Sequence, residues 1–408
     1  QEGDQGIAAM QNRTASSLMD VGIVSIWHER GISFQALQLA RTLDAEGFRT
    51  HILSRWESSR FSNAGAIHHP RVTNGGDDPA PSDVLSWVRA NDIRLVIFME
   101  VHPRDWKRVE HLKKNGVRVA CYENLDILRK EHLSDYGLID WFLCHTFYSS
   151  EVFRKICPDS RILFVPWGIP SGVCRPSGRG GDTTDEVRFL HVGGWGGINN
   201  RKNTDMVIRA FHEGGSGNSR LLLYSQVPIE KYGRECEKIV SSDKRIELYE
   251  GTVDDIFSAY GEADVLLWPS KREGLGLPVV EALASGVPVV ISDGYMMKQW
   301  PVAGEHGVVC PATPRHGQMY LPEMDVDFDA LIRLIRSLSE DPDKVRKLRT
   351  NVARDRRVWL WNWQGRVLCE MLKSVIEDGD YEPPEYHTYL PRYVLEHEKK
   401  RRASMNED

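Results

Sequence analysis

Two glutamates separated by seven residues enclose the most unusual stretch of the chain, Glu273-Gly-Leu-Gly-Leu-Pro-Val-Val-Glu281, followed by Ala-Leu-Ala-Ser-Gly-Val-Pro-Val-Val-Ile-Ser-Asp293. Pro278 suits the first turn of a helix and Gly286 suits its end, so Gly274, Leu275 and Gly276 fall just before a helix N-terminus. Missing Cβ atoms let a ligand approach the backbone there. The unbonded N–H groups of a helix start attract anions, which favours a phosphate or diphosphate. A carboxylate beside that anion would repel it, but a carboxylate that accepts hydrogen bonds from neutral hydroxyls gains about 1.5–3 kcal/mol for each. A ligand with a sugar, a diphosphate and a ribose in series offers hydroxyls at both ends and the anion in the middle. The plainer readings are a surface acid for Glu273 and a helix-dipole contact of about 0.3–1 kcal/mol for Glu281. They suit either residue alone better than the pair in its Gly/Pro setting.

A second anion-binding context is Val192-Gly193-Gly194-Trp-Gly-Gly-Ile-Asn-Asn-Arg201-Lys202-Asn203, read as a strand, a glycine-rich turn and a helix start. It is not a dinucleotide fingerprint, because the third glycine of that pattern falls on Asn199 when counting starts at Gly194. Arg201, Lys202 and Arg272 are the cations within reach of a diphosphate. Gly251-Thr-Val253 follows an apolar strand. In the first half, Gly31 closes the first strand-to-helix turn, His28-Glu-Arg-Gly31, which lacks the dinucleotide glycines. Glu123 follows the apolar run 117–122. There a carboxylate could bond an acceptor hydroxyl, stabilise positive charge or act as a base, or be an ordinary loop acid. His145, after the next strand, is a further polar group, read first as structural. Asp325-Val-Asp327 has the D-x-D pattern of some metal sites, but acids are expected before a helix start and no metal is assigned. The segment 103–115, with Trp106 and several lysines and arginines, reads as a solvated amphipathic helix, with contact to a membrane surface as the alternative.

The elements that must position these residues alternate. Apolar runs at 21–27, 49–54, 94–99, 117–122, 141–144 and 161–165 are read as strands separated by helical or polar segments. A helix is expected over 33–46, with Ser33 as its cap. Residues 171–186 are rich in Gly, Ser, Pro, Asp and Thr and read as a linker. A second series follows, with strands at 187–192, 221–226, 265–268 and 287–291 and helices at 204–212, 331–339 and 357–376. Alternation of this kind predicts α/β architecture: two doubly wound halves with parallel sheets. The division expected is 1–20 a disordered leader, 21–170 the first Rossmann-like domain, 171–186 the linker, 187–356 the second domain, 357–380 a C-terminal helix crossing back to the first, and 381–408 a charged tail. Trp359, Trp361 and Trp363 in the last helix are read as packing between elements.

The chain has 408 residues, 41% of them hydrophobic and 27% charged, with a net charge of −6. That suits a soluble protein of two domains and argues against nucleic-acid binding. No apolar run of about 18 residues is present, so no membrane span is expected. The seven cysteines are scattered without a C-x-x-C pair, which points to a reducing, cytoplasmic setting rather than a disulfide framework or zinc site.

The E-x7-E arrangement, the preceding Trp268-Pro269-Ser270 and the following Ala-Ser-Gly-Val-Pro-Val-Val resemble the retaining nucleotide-sugar glycosyltransferases of the GT-B fold, family four (glycosyl transferases group 1). The resemblance implies two Rossmann-like domains facing a cleft, the acceptor on the first and the nucleotide-diphosphate sugar on the second. It implies that Glu273 contacts the donor sugar hydroxyls, Glu281 the ribose diol, Gly274–Gly276 the sugar and diphosphate, and Lys202 the diphosphate. It places Gly31 and Gly193 by the phosphates, and Gly251 and Val253 by the nucleobase. Two departures stand out. The family arginine after the first glycine is Gly194 here, with two residues inserted before Lys202. The family histidine near the reacting sugar is Glu123. Expected acceptors are a sugar, glycan, lipid-linked molecule or small molecule, with no metal or other cofactor. The competing readings are a sugar-nucleotide epimerase or hydrolase, and a sugar-nucleotide-binding protein without transfer activity.

Overall fold

A computed structural model describes residues 19–174, 185–195, 200–253, 255–361 and 364–377. Most of the leader, most of the linker, Trp363 and the charged tail lie outside the described residues. The first series comprises β1 (Met19–Ser25), α1 (Gly31–Ala45), β2 (Phe48–Ser54), β3 (Val72–Asn74), α2 (Pro81–Ala90), β4 (Leu95–Met99), α3 (Trp106–Lys114), β5 (Arg118–Tyr122), β6 (Trp141–Cys144), α4 (Phe147–Ile156) and β7 (Arg161–Phe164). The second comprises β8 (Val187–Gly194), α5 (Thr204–Gly214), β9 (Ser219–Ser225), α6 (Arg234–Ser242), β10 (Ile246–Glu250), α7 (Ile256–Glu262), β11 (Val265–Trp268), α8 (Leu277–Ala284), β12 (Val289–Ser292), α9 (Tyr295–Lys298) and β13 (Gly307–Cys310). The hairpin β14 (Ala312–Arg315) and β15 (Glu323–Val326) follows, then α10 (Phe328–Glu340), α11 (Pro342–Asp355) and α12 (Gln364–Ile376).

Strand order is β3-β2-β1-β4-β5-β6-β7 in one sheet and β10-β9-β8-β11-β12-β13 in the other. These are two Rossmann-like α/β domains. In the second sheet β8 lies between β9 and β11, parallel to both, so the chain order reverses there. Ligands of open α/β sheets bind beyond the carboxyl ends of the strands at such a reversal. The loops that leave β8 and β11 hold the two glycine-rich motifs. The core beneath them is made of Phe189, Leu221, Leu223, Val265 and Leu267 from the strands, packed against Val207 and Phe211 of α5 and Leu331 and Ile335 of α10. By contact density the described residues divide at Cys121/Tyr122, with Ile376 joining the first part. The groups discussed below, Gly31 and its neighbours excepted, belong to the second part.

Several expected boundaries shift, each for a local reason. β1 starts at Met19, because Met19 and Asp20 pair with Phe48 and Arg49, and the Asp20 carboxylate receives two hydrogen bonds from Arg49 at 2.6 Å each. Asp20 is therefore part of a strand, not a leader. Trp27 falls after the strand, buried, with its ring N–H on Asn63 at 3.2 Å. α1 begins at Gly31, and Ser33 does not cap it: its hydroxyl donates to the Ile26 carbonyl at 3.1 Å. The expected continuous helix over 357–376 is interrupted. A short 3-10 turn, Arg356–Trp359, leads into an extended segment in which Ile169 donates to the Trp359 carbonyl and Trp361 donates to the Ile169 carbonyl, each at 2.8 Å. α12 starts only at Gln364. Tryptophan packing fixes this break: Trp359 lies edge-on to His306 with centroids 5.0 Å apart, and Trp361 lies 5.0 Å from Trp167.

Candidate active site

β11 is buried along its whole length and delivers Trp268 to the start of the loop 269–276. That loop is tied to the segment before α5. Asn203 donates to the Pro269 carbonyl at 2.7 Å, the Lys271 N–H to the Arg201 carbonyl at 2.8 Å, and the Ser270 hydroxyl to Glu273 Oε1 at 2.7 Å. The other oxygen of Glu273 accepts from Arg201 at 2.8 Å, and the same guanidinium nitrogen donates to the Arg272 carbonyl at 2.6 Å. Asp126 lies 3.2 Å from that nitrogen. Burial pushes the Asp126 carboxyl up, opposed by Arg201 and reinforced by Glu273. Gly274 is where the loop after β5 makes its closest approach. A Cβ there would lie 2.4 Å from an Asp126 carboxylate oxygen and 2.5 Å from the Asn124 Cβ, so only glycine fits. Leu275 is buried and its carbonyl accepts from the Trp300 ring N–H at 2.6 Å. Gly276 is the N-cap of α8, and its carbonyl accepts from the Val279 N–H at 2.9 Å and the Val280 N–H at 3.3 Å. Pro278 carries no N–H, so Leu277 supplies the first-turn amide that has no acceptor within the helix.

Glu281 stands in the second turn of α8. The Tyr260 hydroxyl of α7 donates to its Oε2 at 2.7 Å. Burial raises the Glu281 carboxyl to about 7, against the lowering effects of the Tyr260 bond and the Lys202 charge. Tyr260 itself is pushed well above its usual range by burial and by the Glu281 charge. The Lys202 ammonium sits 5.2 Å from the Trp268 ring centroid. It is also 2.8 Å from where a Cβ on Gly194 would be, and Gly194 has a φ of +52°. A slip in register between Val192 and Gly194 ends β8 at this point. An arginine at 194, as the family resemblance would place it, would need a strained backbone and the space that Lys202 fills. Beneath, His191 is fully buried and kept neutral, its pKa lowered to about 4 chiefly by burial. It connects β8 to the Leu267 carbonyl of β11 at 2.8 Å and to the Thr204 hydroxyl of α5 at 3.0 Å.

The remaining expected groups fall as follows. Gly193 is the penultimate residue of β8. Arg272 points its guanidinium at Glu323, 3.3 Å away. Glu123 is buried after β5 and accepts from the Tyr136 hydroxyl at 3.2 Å. Gly251 follows β10, its N–H on the Ser225 carbonyl at 2.9 Å, and Val253 is exposed. Gly31 is the first residue of α1, in the first part of the chain. His145 is buried, bonded to the Val165 carbonyl at 2.6 Å and held neutral by burial, at about 3. Asp327 caps α10, accepting from the Ala330 N–H at 2.8 Å. Among the described residues, no group of three or more His, Cys, Asp or Glu is placed to hold a metal. The structure thus gathers Arg201, Arg272, Glu273 and Gly274 at one corner, and Lys202, Gly194 and Glu281 within range of each other's charge or volume. Asp126, Ser270 and Tyr260 were missed in the sequence. The partners of Asp126 and Tyr260 lie far along the chain; Ser270 bonds Glu273 three residues on, and the Trp-Pro-Ser before the motif was its one signal.

Residues 186–318, the stretch that contains both glycine motifs and both glutamates, match the family described as Glycosyl transferases group 1. The chain is similar to a lipopolysaccharide core biosynthesis mannosyltransferase of Rhizobium leguminosarum bv. viciae, 30% identical over 186 residues, or 40% of this chain and 47% of the relative. The chain therefore spans about half the length of that curated relative. It is also similar in structure to sucrose-phosphate synthase from Thermosynechococcus elongatus, with 16% identity and a TM-score of 0.65 over 88% of this chain and 100% of the other. Anabaena HepE, solved in complex with UDP and glucose, gives 14% identity and a TM-score of 0.67 over 87% and 100%. At these identities the two structural likenesses show the fold, which is that of GT-B glycosyltransferases. The matched stretch includes the residues at the carboxyl ends of β8 and β11.

Proposed function

We propose that the protein is a retaining glycosyltransferase that moves a sugar from a nucleotide-diphosphate donor to an acceptor hydroxyl, without a metal. The observation that carries this reading is the Lys202 ammonium held over Trp268 against the side-chain-free Gly194, close enough to Glu281 for its charge to act on that carboxylate. The diphosphate takes Lys202 and the Leu277 N–H at the start of α8, the ribose diol takes Glu281, and the sugar hydroxyls take Glu273. Breaking the anomeric C–O bond builds negative charge on the departing diphosphate. A fixed ammonium and helix start stabilise that charge without reorganising, which is often the largest contribution to rate. No protein nucleophile is needed for front-face attack by the acceptor hydroxyl, and the configuration is then kept. The names of the comparison proteins support a sugar-nucleotide reading: one is called a mannosyltransferase and another was solved with UDP and glucose.

The test is incubation of the purified protein with a panel of nucleotide-diphosphate hexoses, with and without candidate acceptors, followed by NMR of the anomeric proton of any product. Transfer that needs an acceptor and keeps the donor configuration supports the reading. Rapid loss of donor without acceptor would replace transfer by hydrolysis or epimerisation, and an inverted product would remove the retaining mechanism.

A further inference from the structure

We propose that Arg201 is a positioning residue for the donor sugar: it acts through Glu273 and Asp126, holding the first carboxylate in place and keeping the second beside it, rather than binding the diphosphate itself. This rests on the glycosyltransferase reading above and assigns a role to a cation that the sequence offered only as a diphosphate ligand.

The geometry turns one end of the guanidinium toward the acids. One nitrogen of the guanidinium carries two hydrogens, and they are used by the Arg272 carbonyl at 2.6 Å and Glu273 Oε2 at 2.8 Å. Asp126, at 3.2 Å, is held to the same nitrogen by charge. All three side chains are shielded from water, with exposures of 18% for Arg201, 8% for Glu273 and 16% for Asp126. In such surroundings two neighbouring carboxyl groups repel each other when charged, and a shared cation offsets that repulsion. Asp126 also lies against Gly274, so the second acid borders the backbone proposed to carry the donor sugar. The pair therefore presents carboxylate oxygens to hydroxyls from two loops, and Arg201 sets their separation. The other charged or polar groups at this corner are Arg272, with Glu323 bonded to it, and Ser270, which bonds Glu273.

The experiment compares Arg201→Met, Arg201→Lys, Asp126→Asn and the double variant Arg201→Met/Asp126→Asn by thermal melting, donor KM and kcat, and the pH profile of kcat/KM. Removing the cation should raise the donor KM more than it lowers kcat. It should also move the acidic limb upward by about 1–3 pH units, the usual effect of an opposite charge on a neighbouring carboxylate. Arg201→Lys should recover part of both effects. The double variant should bring the limb back, because a single carboxylate no longer repels a neighbour. A cooperatively melting Arg201→Met protein with the wild-type acidic limb and donor KM would overturn the proposal, as would an equal shift in the single and double variants. If Arg201→Met does not fold, Asp126→Asn alone decides: its acidic limb should move down, and an unmoved limb overturns the proposal. Carbon-13 NMR titration of the Asp126 and Glu273 carboxyls in wild type and Arg201→Lys reads the same coupling without turnover. It therefore separates failure of this assignment from failure of the glycosyltransferase reading.

Discussion

The turn after β1 and the turn after β8 occupy equivalent places in two Rossmann-like domains, yet their chemistry is opposite. After β1, His28 is bonded to Glu57 and Arg30 reaches the same carboxylate at 3.3 Å, so charges close on each other. Burial holds His28 below its usual range despite that carboxylate. After β8, Gly193 and Gly194 remove side chains and the Lys202 ammonium occupies the space beside them. The difference teaches what the proposed anion site needs beyond a helix start: side chains withdrawn from the turn and a cation set over the gap.

The comparison can be broken or sharpened by substitution. The largest effect is expected for Lys202→Ala, which should lower kcat by about 10²–10³, the scale for losing one preorganised donor. Near-normal turnover would mean that the β8 turn is no more an anion site than the β1 turn. Next is Glu281→Gln, which should weaken donor binding by about 10–100-fold, corresponding to the roughly 1.5–3 kcal/mol of a charge-assisted bond. Calorimetry measures it. Glu281 also has a pH signature. Its carboxyl is raised from an ordinary 4.5 to about 7, so the folded state holds a proton that the unfolded state has lost between those values. Stability of the unliganded protein should therefore fall as pH rises through that window, and Glu281→Gln should flatten this part of the melting curve. Gly194→Ala should cost about 1–2 kcal/mol, the strain of a left-handed backbone, and weaken donor binding as the new methyl displaces Lys202. Denaturant unfolding and calorimetry read both. The smallest effect is expected for Arg30→Ala in the β1 turn. Its ion pair is substantially exposed, and its loss should change stability by about 0–1 kcal/mol.

Much of this contrast was legible in the sequence. The Gly/Pro punctuation around 273–286 fixed the loop and the helix, because Pro278 and Gly286 are local signals. The strands 141–144 and 265–268 were read to the residue, since a short apolar run bounded by polar positions has one solution. What could not be read were pairings over long separations. The Arg201–Glu273 bond spans 72 positions and the Tyr260–Glu281 bond 21, and no periodicity encodes either. The helix break at Leu360 was hidden for a similar reason. The segment's apolar spacing suits a helix, and only Ile169, far earlier in the chain, offers the backbone partner that opens it. Ser33 shows the converse: a good cap by type was captured instead by the Ile26 carbonyl seven residues before it.

The central claim is that one ammonium and two carboxylates within residues 186–318 hold a nucleotide-diphosphate sugar. Isothermal titration of wild-type and Lys202→Ala protein with a panel of nucleotide-diphosphate hexoses tests it most directly. At least one donor should bind the wild type, and its affinity should fall by about tenfold or more in the variant, in line with the loss of a charge-assisted contact. Binding of no donor at all, or equal affinity in the two proteins, would contradict it.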